Sequence, residues 1–204
     1  MNENIINNGY KAVDLYLPSG TLWAACNVGA LKPKDYGLYF QWGDTQGYTA
    51  DQVGKDKQFN WANYKWNING SSSNFSKYNT VGDTLDLEDD AANANMGGDW
   101  HMPTPTQIKE LIDNTINAWT TQDGVKGWLF TSKTDNSKSI FIPAAGYASN
   151  GSLFDSGSVG YVWSSTLSTN DVSYGQDLSF YSDNVSLYNY GGRCNGFAVR
   201  GVIG

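Results

Sequence analysis

Twenty-three glycines, many of them beside Asn, Asp or Ser, cut this 204-residue chain into short pieces and constrain its fold more than any other feature. Such pairs supply the positive-φ positions of tight turns and interrupt long helices. The pieces between them are rich in rings: eight Trp, thirteen Tyr and eight Phe are ample material for a core. The length suits one domain over 1–204. The expectation is a set of short strands joined by turns, with few helices.

Alternation and turn chemistry place those strands. Val13–Leu17 and Leu22–Val28 flank the turn Pro18-Ser19-Gly20, and Tyr36–Gly43 is a further apolar run. Later strands are read at 127–132, 139–143, 160–165, 176–180 and 197–202. Residues 44–79 are polar and rich in Gly, Ser and Asn, yet carry Phe59, Trp61, Tyr64, Trp66, Phe75 and Tyr78. That stretch reads as an irregular insertion pinned to the body by its rings.

Two helices are legible. One covers Leu85 to Met96, with acidic residues near its start and Gly97-Gly98 at its end. The other opens at Thr104-Pro105, where Gln107 completes a capping box, and Ile108, Leu111, Ile112, Ile116 and Trp119 supply one apolar face. Helices among short antiparallel strands and long irregular segments make an α+β domain.

A formal charge of −7 argues against nucleic acid and against an anionic membrane surface, because there is no basic patch for phosphates. No apolar run is long enough to span a bilayer, and the opening residues lack a basic leader followed by an apolar stretch, so no export signal is expected in the chain as it stands. Cys26 and Cys194 lie at opposite ends of the chain. Two reduced thiols are expected, with a bridge open only if those ends are neighbours.

The segment from Ser168 to Asn195 is the most distinctive. Sixteen of its twenty-eight residues are Asn, Asp, Ser or Tyr, while Leu178, Phe180, Val185 and Leu187 recur through it. Tyr offers stiff contact area at low entropic cost, and Asn, Ser and Asp offer adaptable hydrogen bonds. The mixture points to binding. The expected contacts are Tyr174, Tyr181, Tyr188 and Tyr190, supported by Asn170, Asp171, Asp183, Asn184, Asn189 and Asn195, with Arg193 pairing across the same surface. Leu178, Phe180 and Phe197 are expected to hold the scaffold beneath, Arg200 to brace it, and Trp23, Trp42, Trp100, Trp128 and Trp163 to be core.

Several ordered blocks carry a resemblance. They are Gly20–Ala30, Tyr36–Gly43, Asp89–Ala92, Trp100–Thr104, Pro143–Tyr147, Trp163–Thr166 and Gly196–Arg200. Together they resemble the Fibrobacter succinogenes major paralogous domain family of gut Bacteroidetes and their phages, over about Val13 to Val202. The resemblance implies a C-type-lectin-like fold, related to that of formylglycine-generating enzymes. It departs at His101, where the family carries Arg, and at Gly201, where it commonly carries Pro. Some lectin-like relatives are variable proteins of diversity-generating retroelements, whose miscopied template adenines scatter Asn, Asp, Ser and Tyr near the C-terminus. That implies a variable ligand-binding region over 163–200.

Catalysis is not expected. His101 is the only histidine, and it reads as a packing or hydrogen-bonding residue beside the helix cap. Cys26 and Cys194 do not reproduce the reactive pair of the formylglycine-generating enzymes, and no two carboxylates stand out as a hydrolytic pair. Asp83, Asp86, Glu88, Asp89 and Asp90 could offer oxygens to Ca²⁺, but they read better as a solvated helix start. The Glu-Pro-Asn or Gln-Pro-Asp and Trp-Asn-Asp motifs of calcium-dependent lectins are missing, so neither metal nor cofactor is expected. The functional expectation is a receptor- or ligand-binding protein that meets a protein or glycan on a cell surface, carried on a phage virion or a cell surface. A structural or assembly module and a carbohydrate-binding adhesin are the alternatives. Oligomeric state is left open.

Overall fold

The structure, a computed structural model, describes residues 5–204. Among these the regular elements run β1 (Ile5–Asn7), β2 (Tyr10–Asp14), β3 (Leu22–Ala24), α1 (Ala91–Met96) and α2 (Pro105–Asn114). There follow β4 (Thr115–Gln122), β5 (Val125–Ser132), β6 (Ser139–Pro143), β7 (Tyr147–Ser149) and β8 (Ser152–Phe154). The chain closes with β9 (Val159–Leu167), β10 (Tyr174–Tyr181), β11 (Asn184–Gly192) and β12 (Val202–Ile203). The result is a mixed α+β domain with two helices, short antiparallel strands and long connecting loops. The sheets are ordered β1-β2-β3-β12, β11-β10-β9 and β4-β5-β6, with β7-β8 as a separate hairpin. No helix is long and apolar enough to cross a membrane among the described residues.

Helix α2 begins where its sequence dictates. The Gln107 N–H donates to Thr104 Oγ1 at 3.2 Å, and the Thr104 N–H donates to Gln107 Oε1 at 2.9 Å. Ile108 and Leu111 are fully buried beneath it. The helix ends at Asn114, so Ile116 and Trp119 do not extend its apolar face. They belong to β4, which pairs with β5 along its whole length. The cause is the turn at Asp123-Gly124, both with positive φ, which folds β4 back on β5. Ile116 is left 62% exposed, while Trp119 packs edge-on against Trp128 and Phe180.

The expected helix from Leu85 to Met96 is likewise shorter. Leu87–Asp89 forms a single 3-10 turn, and α1 starts only at Ala91. Asp90 interrupts it: its carboxylate accepts the backbone N–H groups of Asn93 at 2.9 Å and Met102 at 2.8 Å. The run Tyr36–Gly43 is not a strand but makes single bridges, Tyr39 to Tyr48 and Phe40 to Phe197. Residues 197–202 also run outside the sheets except for Val202. There Arg200, fully buried, donates to Asn27 Oδ1, the Ala24 carbonyl and the Phe141 carbonyl.

Two large apolar clusters fill most of the interior. Trp42, Trp100, Trp163 and Phe197 centre one, and Trp23, Ile108, Phe130 and Phe180 centre the other. In residues 44–79, Phe59, Tyr64, Phe75 and Tyr78 are buried. The indole N–H groups of Trp42, Trp100 and Trp163 donate to the carbonyls of Ser164, Asn7 and Phe40.

Candidate functional site

The sheet β11-β10-β9 has two faces of opposite character. Val162, Leu178, Phe180, Val185 and Leu187 point inward onto the core. The other face carries three cross-strand rows: Val159–Tyr181–Asn184, Tyr161–Ser179–Ser186 and Trp163–Asp177–Tyr188. Period-two alternation thus sends Leu178, Phe180, Val185 and Leu187 in and most tyrosines and small polar groups to the other face, where Trp163 and Asp177 are themselves buried under neighbouring loops. The hairpin turn is only Ser182-Asp183, so β11 is held close to β10 as an edge strand.

Beyond Asp177 the register shifts, and Asn189 and Tyr190 together stand opposite the single Gln176. At this bulge Tyr190 lies beside Tyr188, at 5.6 Å between ring centroids, and beside Tyr174, at 5.7 Å. Asn170 Nδ2 donates to the Tyr190 hydroxyl at 3.1 Å, and Asn189 Nδ2 donates to Thr169 Oγ1 at 3.1 Å. Asp171 accepts the Ser173 N–H at 2.8 Å. Thus Asn170, Asp171, Tyr174, Tyr188, Asn189, Tyr190 and Asn195 gather at one end of the face. Tyr181, Asp183 and Asn184 sit exposed at the hairpin tip, roughly 13 Å further along the strands from Asp177.

Arg193 does not belong to this surface. It is fully buried and pairs with no carboxylate among the described residues. Its Nε donates to the Tyr64 hydroxyl at 2.8 Å, and its terminal nitrogens donate to the carbonyls of Tyr78, Val172 and Lys77. Its guanidinium lies 4.1 Å from the Phe75 ring centroid. The side chain therefore ties β11 to residues 64–78 from inside.

Two hollows open on the face and meet at Gly192 and Asn195. One, about 500 Å³, is shallow and lies between Tyr174 and the loop residues Trp61, Ser72 and Ser73. The other, about 190 Å³, is lined by Tyr147, Asp155, Tyr161, Asp177, Tyr188, Tyr190 and Phe197. Phe197 stacks between Trp163, at 4.0 Å, and Tyr161, at 4.8 Å, and Tyr147 meets Tyr161 edge-on. Burial, then the carboxylates of Asp155 and Asp177, push the Tyr161 hydroxyl up to about 12.

Sequence reasoning passed over Asp177, Tyr161, Tyr147 and Asp155. Asp177 is wholly buried, neither carboxylate oxygen has a hydrogen-bond partner among the described residues, and burial raises its carboxyl well above 3.8. Leaving a buried polar group unsatisfied costs about 1–3 kcal/mol. The alternation of Asp177 against Leu178 and Phe180 was the available signal for Asp177, since it shares a face with Tyr181. Tyr147 and Asp155 come from the separate β7–β8 region, which no local pattern connects to β10.

The acidic group elsewhere is differently disposed. Asp86, Glu88 and Asp89 bring oxygens within 4.8 Å of one another, but Lys77 Nζ lies 2.6 Å from both Asp86 and Asp89. Lys65 Nζ reaches Asp89 at 2.7 Å. Burial works to raise Asp89, but hydrogen bonds from Lys65, Lys77 and Tyr78 hold it below 3.8. His101 is engaged at both ring nitrogens, with the carbonyls of Met102 and Gly204. Cys26 and Cys194 are unbridged, and burial pushes both thiols up, Cys194 to about 12, away from the reactive thiolate.

No family model, no curated protein and no solved structure matches the chain.

Proposed function

We propose that this protein is a recognition domain of the C-type-lectin-like kind, whose β9–β11 outer face binds a protein or glycan on a cell surface. One observation carries the reading. The blocks that resemble the Fibrobacter succinogenes major paralogous domain family supply buried scaffold, including Trp23, Phe40, Trp42, Trp100, Ala144, Trp163, Phe197 and Arg200. The Tyr-, Asn-, Ser- and Asp-rich segment between them splits instead by face, with Leu178 and Phe180 buried and Tyr181, Asp183, Asn184, Tyr188 and Tyr190 exposed.

That division is what a diversified binder needs. Exposed residues on a strand face can be exchanged while inward ones keep the packing, so affinity belongs to the side chains and stability to the scaffold. Tyr181, Tyr188 and Tyr190 are between 45% and 49% exposed, and Tyr188 and Tyr190 stand side by side, which supplies contiguous aromatic area for a partner to cover. In this reading the domain is displayed on a phage virion or a cell surface, and a retroelement rewrites its face.

Sequencing the encoding locus and its flanks tests the diversification. The expected result is a near-copy of the coding segment for about 163–200, with mismatches at template adenines. Those mismatches fall on codons for exposed positions such as Asn170, Asp183, Asn184, Tyr188 and Tyr190, and spare those for Leu178 and Phe180. A locus without such a copy removes retroelement diversification and leaves a binder of fixed specificity.

A further inference from the structure

Asp177 stands at the floor of the smaller hollow, on the central strand β10, between Trp163 and Tyr188 in its cross-strand row. Among the described residues its two oxygens are without partners, and no Lys, Arg or His lines the hollow. The walls are the rings of Tyr147, Tyr161, Tyr188 and Tyr190, and Asp155 adds a second carboxylate at the exposed rim. Both oxygens are buried, and Gly191 leaves room beside them, since a Cβ there would lie 2.8 Å from Asp177 Oδ2.

We propose that this hollow is a subsite for a primary alkylammonium group, carried by a lysine side chain or by a free amine. The inference rests on the recognition role proposed above for the same face. Three N–H donors can satisfy both oxygens of Asp177 at once, whereas a quaternary ammonium has none to give. The tyrosine faces attract the same positive charge through their ring quadrupoles, most strongly where water is excluded. Asp155 draws the cation toward the mouth. Direct contact requires a wall to yield, and Tyr188 and Tyr190, 46% and 49% exposed on the edge strand, are the exposed rings of that wall. An incoming ammonium also favours the ionised form of the carboxyl, which burial disfavours.

The test is a titration of the full chain at pH 7 and constant ionic strength, followed by NMR. The probes are N-acetyl-lysine methylamide, propylammonium chloride, and tetramethylammonium chloride as a cation without donors. Saturable binding of one or both primary ammonium probes is expected, at least tenfold tighter than tetramethylammonium and at least tenfold weaker in Asp177→Asn. Tighter binding of the lysine derivative assigns the site to a peptide ligand, and equal or tighter binding of propylammonium to a free amine. The ¹³C signal of the Asp177 carboxyl in the unaltered protein should shift on saturation, a readout of direct contact that does not depend on the variant folding. No saturable binding, equal binding by Asp177→Asn, or an unmoved carboxyl signal overturns the subsite. The recognition face fails separately: a target lost by Tyr181→Ser but kept by Asp177→Asn sinks the ammonium subsite alone.

Discussion

Arg193 and Tyr64 are joined inside the protein: the guanidinium Nε donates to the phenol oxygen at 2.8 Å, and that phenol donates in turn to the Trp42 carbonyl at 2.8 Å. Burial lowers the Arg193 pKa and raises that of Tyr64, and among the described residues no carboxylate bonds to the guanidinium, Asp83 acting on it only through its field. Carbonyl oxygens and aromatic faces take that part instead.

Arg193→Met is therefore expected to destabilise the protein by on the order of 3 kcal/mol, because several buried acceptors lose their donor together. Hydrogen exchange should accelerate first in residues 64–78, whose carbonyls at Lys77 and Tyr78 the side chain holds. Uniform acceleration across the whole chain would contradict a local tie.

Asp177 gives a pH dependence of definite sign. The groups facing it are Asp155, Tyr147, Tyr161 and Tyr188, none of them basic. Its folded pKa lies above the unfolded value of 3.8, so the folded state keeps a proton that the unfolded chain releases. Stability from this group is undiminished below about pH 4. It falls as pH rises from there to the folded pKa, by about 1.4 kcal/mol for each pH step of one. Asp177→Asn should match the parent at pH 4 and exceed it at pH 7 in urea denaturation. Parallel stability curves for the two proteins would refute the assignment.

Gly191→Ala places a methyl group 2.6 Å from the Trp163 ring, 2.8 Å from Asp177 Oδ2 and 2.8 Å from the Phe197 ring. Overpacking of this kind costs about 1–3 kcal/mol. The melting temperature should drop, and near-ultraviolet circular dichroism should report displacement of the Trp163–Phe197 stack.

Thr104→Ala removes the acceptor for the Gln107 N–H and one half of the capping box. A loss of about 0.5–2 kcal/mol is expected, without change in the tyrosine face. Thr104→Ser should restore most of it.

Much of this architecture is legible in the sequence, and what is not has physical causes. The α2 start at Thr104 is written in three adjacent signals, and the strand at 139–143 in a run of apolar residues. The end of α2 is not, because Ile116 and Trp119 fall at helical spacing while also fitting a strand. Only the Asp123-Gly124 turn, ten residues beyond Asn114 at its glycine, decides between them. The identity of exposed tyrosines on β10 and β11 follows from alternation with Leu178 and Phe180. Arg193 deceived because nothing local marks a buried cation whose acceptors are backbone carbonyls distant in sequence. The hollow over Asp177 was invisible for the same reason: Tyr147, Asp155, Tyr161 and Tyr190 meet only after three separate segments fold together.

The central claim is that the outer face of β9–β11 recognises a surface partner. The most direct test is an array of bacterial surface proteins and glycans, probed in parallel with the unaltered protein and with a variant carrying Tyr181→Ser, Tyr188→Ser and Tyr190→Ser. All three side chains are exposed, so the variant should fold normally by circular dichroism. The account predicts at least one specific ligand for the unaltered protein, with binding lost or weakened at least tenfold in the variant. A ligand held equally well by both proteins would place recognition elsewhere and contradict the account.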